Sequence, residues 1–378
     1  MYELLLLSWM IALFFTVFGA WLVLYNYYFK PPKSLTRMEP ITILKPVKGF
    51  SEGLEKKLET FFKQEFIVGD ELLFCVESYG DTACDVIRKL IAHYYRVPAK
   101  LIVKPCRFFT NPKIQNIYWA YEAAKNDLVL ISDSNSIAHK EYLWSLRNGF
   151  TKTMGILTAA STVVNPSGLG QYLEMAYLST FYVRFIFLAN LLGFPIIIGA
   201  SMLFRKSTAR KFRGLNSIGN YLAEDYMIGQ KMKALGHKTH VMSAPIKQTL
   251  ENYSFKKFWT RHVRWGRMRK GHNVFVFLFE PFYGLFSSGA IAYVAMQHID
   301  PAHTLQVLAY HFTLWFMADM VSLSATQDRF FNFKDIGAWL LRELLSLPLW
   351  AHTLVGQKIE WRGNKYRVGK GGVGIKIK

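Results

Sequence analysis

Leu128-Val-Leu-Ile-Ser-Asp133-Ser-Asn135 decides how this chain is read. Four apolar residues run into a serine and then a carboxylate, the pattern of a buried strand whose last residues emerge at the rim of a sheet. Toward the N-terminus, Pro40-Ile-Thr-Ile-Leu-Lys45, Glu71–Val76 and Leu101–Val103 read the same way. Helical stretches separate them: one capped by Ser51 and running to Phe62, one from Asp81 or Thr82 through Ala92, and one from Lys113 to Ala124. Short strands alternating with helices over residues 40–135 predict an α/β fold with a mostly parallel central sheet. Open sheets of this kind bind ligands beyond the carboxyl ends of their strands, where Glu77, Asp81 and Asp133 all fall. Toward the C-terminus come a strand at Gly155 to Ala160, an aromatic-rich helix from Gln171 to Leu191 and a strand near Gly199 to Phe204. A helix from Tyr226 to Leu235 then ends at Gly236.

The side chains at these ends suggest anion and metal chemistry. Asp133, followed by Ser134-Asn135, suits a hard divalent cation (Mn²⁺ or Mg²⁺) that takes one or two carboxylates and completes its shell with substrate phosphates. An Asx-type cap on the turn is the alternative. Asp81 before Thr82-Ala83 also reads as an ordinary helix N-cap. Lys113 follows Asn111-Pro112, where the asparagine can cap and free N–H groups can receive an anion; a solvated first-turn lysine reads equally well. Glu224-Asp225 opens a helix, where acids also complement the dipole. Ser254 can cap a further helix on which Phe255, Phe258, Trp259 and His262 share a face. Arg261 and Arg264 are neighbours on it, and guanidinium forks match phosphate oxygens. The same helix, dense in Lys and Arg, also reads as an interfacial amphipathic one, with His262 as a packing residue.

The chain has 378 residues, enough for one domain of about 230 residues and several membrane segments. Half of it is apolar, and a net charge of +20 on so hydrophobic a chain points to anionic headgroups or anionic substrates. The basic residues flank apolar segments and form no nucleic-acid module, so nucleic acid is not expected as a partner. Cys75, Cys84 and Cys106 are odd in number and lack metal-ligand spacing, which argues against a disulfide framework or a zinc site.

Leu4 to Phe29 carries no charge and exceeds the roughly 20 residues that cross a bilayer. It ends in the aromatic belt Tyr25–Phe29, so residues 3–29 read as an uncleaved anchor. Lys30, Lys33 and Arg37 follow, which puts the domain over residues 38–272 on the cytosolic side. Further apolar stretches run over Val274 to Met296, Leu305 to Leu323 and Ile336 to Val355. Glu280-Pro281 breaks the first, and Arg342 and Glu343 make the third an interfacial or re-entrant helix. Residues 274–357 therefore read as two spans plus that helix, and 358–378 as a basic cytosolic tail; Asp319 should face protein or water.

Taken together, Ile43-Leu-Lys-Pro-Val-Lys-Gly49, Leu58-Glu-Thr-Phe-Phe62, Leu73-Phe-Cys-Val76, Asn111-Pro-Lys-Ile-Gln-Asn116, Ser132-Asp-Ser134, Ala223-Glu-Asp-Tyr226, Arg261-His-Val-Arg-Trp265 and the basic Trp361–Arg367 form an ordered series over nearly the whole chain. The series resembles the ceramide glucosyltransferases. That resemblance implies a GT-A domain that transfers one sugar from a nucleotide donor, UDP-glucose, with inversion to the primary hydroxyl of ceramide in the bilayer. It also implies a divalent cation. It makes Asp81 and Asp133 the donor- and metal-binding aspartates, Asp225 the catalytic base, and Arg261, Arg264 and Trp265 the element that closes over the diphosphate. Lys45, Glu77 and Lys113 complete the expected donor-binding set. Two positions depart from the family pattern: Glu77-Ser-Tyr-Gly80 lacks the acids many relatives have before Asp81, and Tyr182 stands where animal enzymes carry a histidine. The same chemistry on a hopanoid or diacylglycerol, a processive polysaccharide synthase, and a non-enzymatic membrane scaffold are the alternatives. The expected location is a multi-pass position in a bacterial inner membrane or in the Golgi or another internal eukaryotic membrane.

Overall fold

Helix α1 (Tyr2–Leu24) passes without a break into a π turn over Tyr25–Phe29, forming the apolar N-terminal helix that the uncharged run predicts. The computed structural model describes residues 1–30, 38–361 and 363–377; the basic Lys33, Arg37, Arg362 and Lys378 lie outside them. Beyond α1, β1 (Ile41–Pro46), α2 (Leu54–Phe62), β2 (Glu71–Val76), α3 (Ala83–His93), β3 (Ala99–Val103), α4 (Pro112–Ala123) and β4 (Leu128–Ile131) alternate as expected. Then come β5 (Ser136–Ile137), α5 (Tyr142–Gly149), β6 (Met154–Thr158), β7 (Ser161–Val163), α6 (Leu169–Tyr177), α7 (Val183–Leu191), β8 (Met202–Arg205), α8 (Lys206–Arg210), α9 (Glu224–Ala234), β9 (Lys238–Val241), β10 (Ile246–Gln248) and α10 (Phe255–His272).

The main sheet has the order β3-β2-β1-β4-β8-β6-β9. Strands β1 to β4 are mutually parallel, β8 is antiparallel to both neighbours, and β6 and β9 are again parallel. This is the mostly parallel α/β sheet expected. Its central strands are buried on both faces, which explains their unbroken apolar runs. Successive residues serve opposite cores: Ile43, Phe74 and Leu130 pack with Leu58 and Phe61 of α2, while Leu44, Cys75 and Val129 pack with Ile114 and Ile117 of α4.

Local signals held unevenly. Asn111 caps α4, its Oδ1 accepting from the backbone N–H of Lys113 (2.8 Å) and Ile114 (3.2 Å). Ser254 caps α10, accepting from Lys257 N. Ser51 does not cap α2; the preceding residue is Gly53, held at φ 70°, which glycine adopts without strain. The aromatic helix from Gln171 to Leu191 is interrupted between α6 and α7 by a π turn at Leu178–Tyr182, where Thr180 Oγ1 donates back to Ala176 O.

The C-terminal part comprises α11 (Val274–Phe279), α12 (Leu285–Ile299), α13 (Thr304–Gln327) and α14 (Phe333–Leu354). Tyr2–Phe29 and Pro301–Gln327 are long and apolar enough to cross a bilayer; α11 with its following turn and α12 form a pair bent by 73° that would make a third span. At Glu280-Pro281, where the sequence predicts a break, α11 only tightens into a 3-10 turn over Glu280–Tyr283; the bend itself falls at Gly284, whose extended backbone starts α12. This is a membrane protein. Asp319 on α13 faces protein: it pairs with Arg184 of α7 (2.6 Å) and accepts from Trp339 Nε1 of α14 (2.7 Å), while Arg184 also donates to Thr16 O of α1. Four helices are thereby tied through one buried carboxylate.

The basic end is not a loose tail. It folds into an antiparallel sheet of β11 (Lys358–Trp361), β12 (Asn364–Val368) and β13 (Gly374–Ile377). Its basic side chains mask a simple alternation: Ile359, Tyr366 and Val368 turn to one face and bury against Leu222. Gly374 N donates to Asn220 O at 2.8 Å, so this sheet grips the chain just before Glu224. Tyr366→Ala is expected to cost about 3–5 kcal/mol, the range for emptying a large buried aromatic site, read as a lower unfolding temperature of the detergent-solubilised protein.

Candidate active site

The turn after β4, the segment leading into β8 and the start of α9 converge on Lys113. This residue sits in the first turn of α4, fixed there by the Asn111 cap, and is only 4% exposed. Its ammonium lies 2.8 Å from Asp133 Oδ1 and 3.0 Å from Glu224 Oε1, and donates to Gly199 O at 2.8 Å. Burial works against its charge, but Asp133 and Glu224 outweigh it and hold the amine above its ordinary value. Asn111 reaches the same cluster from its other end, donating to Glu224 Oε2.

Asp225 lies beside this cluster at the start of α9. Its Oδ2 accepts from Gly199 N (3.1 Å) and its Oδ1 from Tyr226 N (2.8 Å). Burial, and then the neighbouring Glu224, raise its carboxyl to about 7. Gly199 is a glycine for a steric reason: a Cβ there would stand 3.0 Å from the Lys113 amine and 3.2 Å from Asp225. Asp133 is more open, with its side chain 38% exposed. Behind it, Lys45 is fully buried, donates to Asp133 O and lies 3.6 Å from the centre of the Phe61 ring. Burial pushes its amine well below the usual lysine value. Lys45 thus braces the Asp133 turn from inside the sheet instead of presenting its charge to open space.

Asp81 and Glu77 organise the neighbouring loops. Both Asp81 oxygens accept from Gly49 N (2.9 and 3.0 Å), and Oδ1 also accepts from Ala83 N at the start of α3. The loop after β1 is thereby clasped to the one after β2. Glu77 lies 3.7 Å from Lys48 in the same pair of loops.

Helix α10 supplies the basic side. The Arg261 guanidinium lies 4.5 Å over the Trp265 ring; burial works against its charge, but Glu174 first, then Tyr253 and Asp133, hold it above its ordinary value. Trp265 stacks on Tyr182 of the π turn, at 6.3 Å and 20°. Burial first, then nearby groups that include Asp225, raise the Tyr182 hydroxyl. Tyr182 therefore stands between the acid cluster and α10. Arg264 turns away from Arg261 toward the C-terminal sheet, 5.6 Å over Trp361. His262 is buried in packing contacts with Tyr177 and Phe258, in line with its reading as a core residue.

Lys113 thus meets Asp133 directly, and Asp225 stands beside them across Gly199, with Tyr182, Trp265 and Arg261 at the edge. Glu224 was legible only as a dipole acid, although it is one of the two carboxylates that hold Lys113. Glu174, on α6, was not singled out in the sequence at all. Among the described residues no group of three or more His, Cys, Asp or Glu could hold a metal ion. One outward carboxylate, Asp133, fits a cation that draws its other ligands from a diphosphate and water, not one caged by protein.

Residues 4–373 match the family described as glycosyl transferase family 21. The chain belongs to that family. It is a glycosyltransferase, as the ordered motif series implies. Among similar proteins are Ceramide glucosyltransferase 3 of Caenorhabditis elegans, 28% identical over 88% of this chain and 73% of the relative, and the Ceramide glucosyltransferase of Pyricularia oryzae, 28% identical over 91% and 89%. Among solved structures, a mannosyltransferase from Pyrobaculum calidifontis in complex with GDP-Man and Mn²⁺ covers 94% of this chain and 97% of its own at 14% identity, with a TM-score of 0.49.

Proposed function

We propose that this chain transfers a single glucose from UDP-glucose, with inversion, to the primary hydroxyl of ceramide, giving a β-glucosylceramide. The observation that carries the reading is Lys113 bonded at once to Asp133 and Glu224 with Asp225 beside it, which brings a rim carboxylate and a second acid into one cluster. The apolar helices suit the chain to a membrane, and the relatives named above carry the ceramide glucosyltransferase name. A two-chain lipid leaves the bilayer only at about 0.8 kcal/mol per buried CH₂, so an enzyme acting on it must work at the membrane. A cavity of about 90 Å³ beside α10 is lined by Tyr177, Phe181, Phe277 and Trp350 together with the charged Arg269 and Glu280, and it offers part of the acceptor a place against that helix.

In the proposed reaction Asp225 takes the proton of the acceptor hydroxyl as its oxygen bonds to the anomeric carbon. The bond from that carbon to the diphosphate oxygen breaks, and its electron pair leaves with the nucleoside diphosphate. Attack opposite the leaving group turns an α-linked donor into a β-linked product. Arg261, lying over Trp265 of the same helix, meets the charge that develops on the diphosphate, while Arg264, expected to share that role, is turned to Trp361 and takes no part in this step. Asp133 would hold a divalent cation, Mn²⁺ or Mg²⁺, which supplies Lewis-acid stabilisation of that charge when bound. Lys113 fixes the distance between the donor acid and the base, and Asp81 and Glu77 shape the loops that receive the nucleotide. Residues 38–272 form the catalytic unit, facing the cytosol beside Lys30 and between the N-terminal anchor and the membrane region 274–357.

A base whose carboxyl is raised to about 7 gives a definite pH profile. Activity is expected to be low below that value, where Asp225 is protonated and cannot accept the hydroxyl proton, and to rise through it as the carboxylate forms. The check is kcat against pH at saturating substrates. The function itself is tested by presenting the purified protein in lipid nanodiscs with a panel of nucleotide sugars and with ceramide, diacylglycerol or a hopanoid, and weighing the glycolipids. A monohexosylceramide formed from UDP-glucose is expected. A hexose on another lipid alone would reassign the acceptor, long sugar chains would indicate a processive synthase, and no product with any pair would oppose an enzymatic role.

A further inference from the structure

Glu174 is a carboxylate with no solvent exposure on α6, and Tyr253, Arg261 and His262, which face it, lie in one stretch of chain. Its Oε2 accepts from Tyr253 Oη at 2.9 Å and lies 2.9 Å from His262 Nε2. Its Oε1 stands 3.5 Å from Arg261 Nε, and neither of these buried atoms makes a hydrogen bond. Burial alone would raise such an acid, but Arg261 first, then His262 and Tyr253, hold it at about 2, so it is ionised.

A buried charge is costly, and simple adhesion between α6 and α10 would be served as well by apolar side chains. Adhesion is already provided elsewhere: Gly170 of α6 lies directly against the Tyr253–Ser254 backbone, and Gln171 Nε2 donates to Leu250 O at 2.6 Å. What the carboxylate adds is direction. Two partners pin Oε2, so Oε1 is held out toward Arg261 at a distance that attracts the guanidinium without engaging it in a hydrogen bond. Arg261 lies flat over Trp265 and keeps 21% of its side chain exposed. Its Nε is buried and Tyr253 also bonds to the guanidinium, so it is the remaining exposed N–H groups that are available to an anion.

We propose that Glu174 is a positioning residue for Arg261, holding the guanidinium over Trp265 with its free N–H groups turned to the donor diphosphate. This rests on the reading of Arg261 as a diphosphate-binding residue. A carboxylate serving only as packing would affect folding and every substrate alike; one acting through Arg261 affects the donor alone and only while Arg261 is present.

The test is a double-mutant cycle on the full-length protein with Glu174→Gln, Arg261→Gln and the pair, reading UDP affinity by calorimetry and the KM for UDP-glucose and for ceramide separately. Glu174→Gln is expected to weaken UDP and raise the donor KM by about tenfold, with the ceramide KM unchanged. The double variant should match Arg261→Gln within about twofold. Losses that multiply in the double variant, an equal rise in both KM values, or wild-type UDP affinity in Glu174→Gln would overturn the proposal. If Glu174→Gln does not fold, Tyr253→Phe removes one of the bonds that pin Oε2. It should raise the donor KM in the wild-type background and be silent beside Arg261→Gln; an effect in both backgrounds counts against the proposal. The UDP arm keeps the two readings apart: a wild type that binds UDP but glycosylates no ceramide refutes the acceptor and leaves Glu174 tested by binding, whereas a wild type that does not bind UDP overturns both.

Discussion

Asp225→Asn is expected to lower sugar transfer by about 10³-fold, within the range for loss of a general base, while leaving UDP bound at least as tightly as in the wild type. The amide keeps the shape of the carboxylate, but only its oxygen accepts, so it retains one of the bonds from Gly199 N and Tyr226 N and gives up the other, a modest local loss at the start of α9. What disappears is the ability to take a proton. The substitution also removes a negative charge from the neighbourhood of a diphosphate, so donor affinity has no electrostatic reason to fall. The check combines single-turnover rates with UDP titration. Loss of both rate and UDP affinity would make Asp225 a donor ligand, and a normal rate would remove it from the chemistry.

Lys113→Met should have the largest effect on stability. The ammonium is the bonded partner of Asp133 and of buried Glu224, and stands within reach of Asp225. Removing one partner of a buried pair costs about 3–5 kcal/mol because the remaining charge stays desolvated. The loss should depend on pH in a fixed direction. Without the lysine, a charge that lowers the Asp225 carboxyl is gone, and the folded protein, in which burial already raises that carboxyl, holds its proton more tightly than the unfolded chain does. Stability is therefore retained at acid pH and falls as the pH rises through the raised folded-state value of Asp225. Thermal unfolding at mildly acidic and mildly alkaline pH measures this, and a deficit that is equal at both would show that the acids do not depend on Lys113. Transfer activity should fall with it.

The parts of the site that the sequence revealed are those where local pattern and chemistry coincide. A strand that ends in Asp133 and an Asn-Pro-Lys helix start each place a side chain at a sheet rim by backbone geometry alone, and both lie where they were expected. Asp225 was legible for the same reason, as an acid opening a helix after a loop. Relations between distant segments were not legible. That Lys113 joins Asp133 to Glu224 depends on how α4 and α9 pack, which no short-range pattern encodes. Lys45 was expected to bind the donor, yet strand alternation puts it on the Ile43 face of β1, inward over Phe61. Arg261 and Arg264 are neighbours on α10 but part company because Trp361, from the far C-terminus, draws the second away. Glu174 passed unnoticed within an aromatic stretch that reads as core, and in the fold it is core, with its charge met by residues some eighty positions later. The C-terminal sheet was hidden by composition: its alternation of Ile359, Tyr366 and Val368 is interleaved with lysine and arginine, which read as a tail.

The most direct measurement is the anomeric configuration of the product. Purified protein in ceramide-containing nanodiscs is given α-linked UDP-glucose, and the glycolipid is analysed by proton NMR for linkage and for the number of sugars. A single β-linked glucose on the primary hydroxyl of ceramide, absent with Asp225→Asn, is the predicted result. An α-linked product, or a β-linked product that persists in Asp225→Asn, would contradict direct displacement assisted by Asp225.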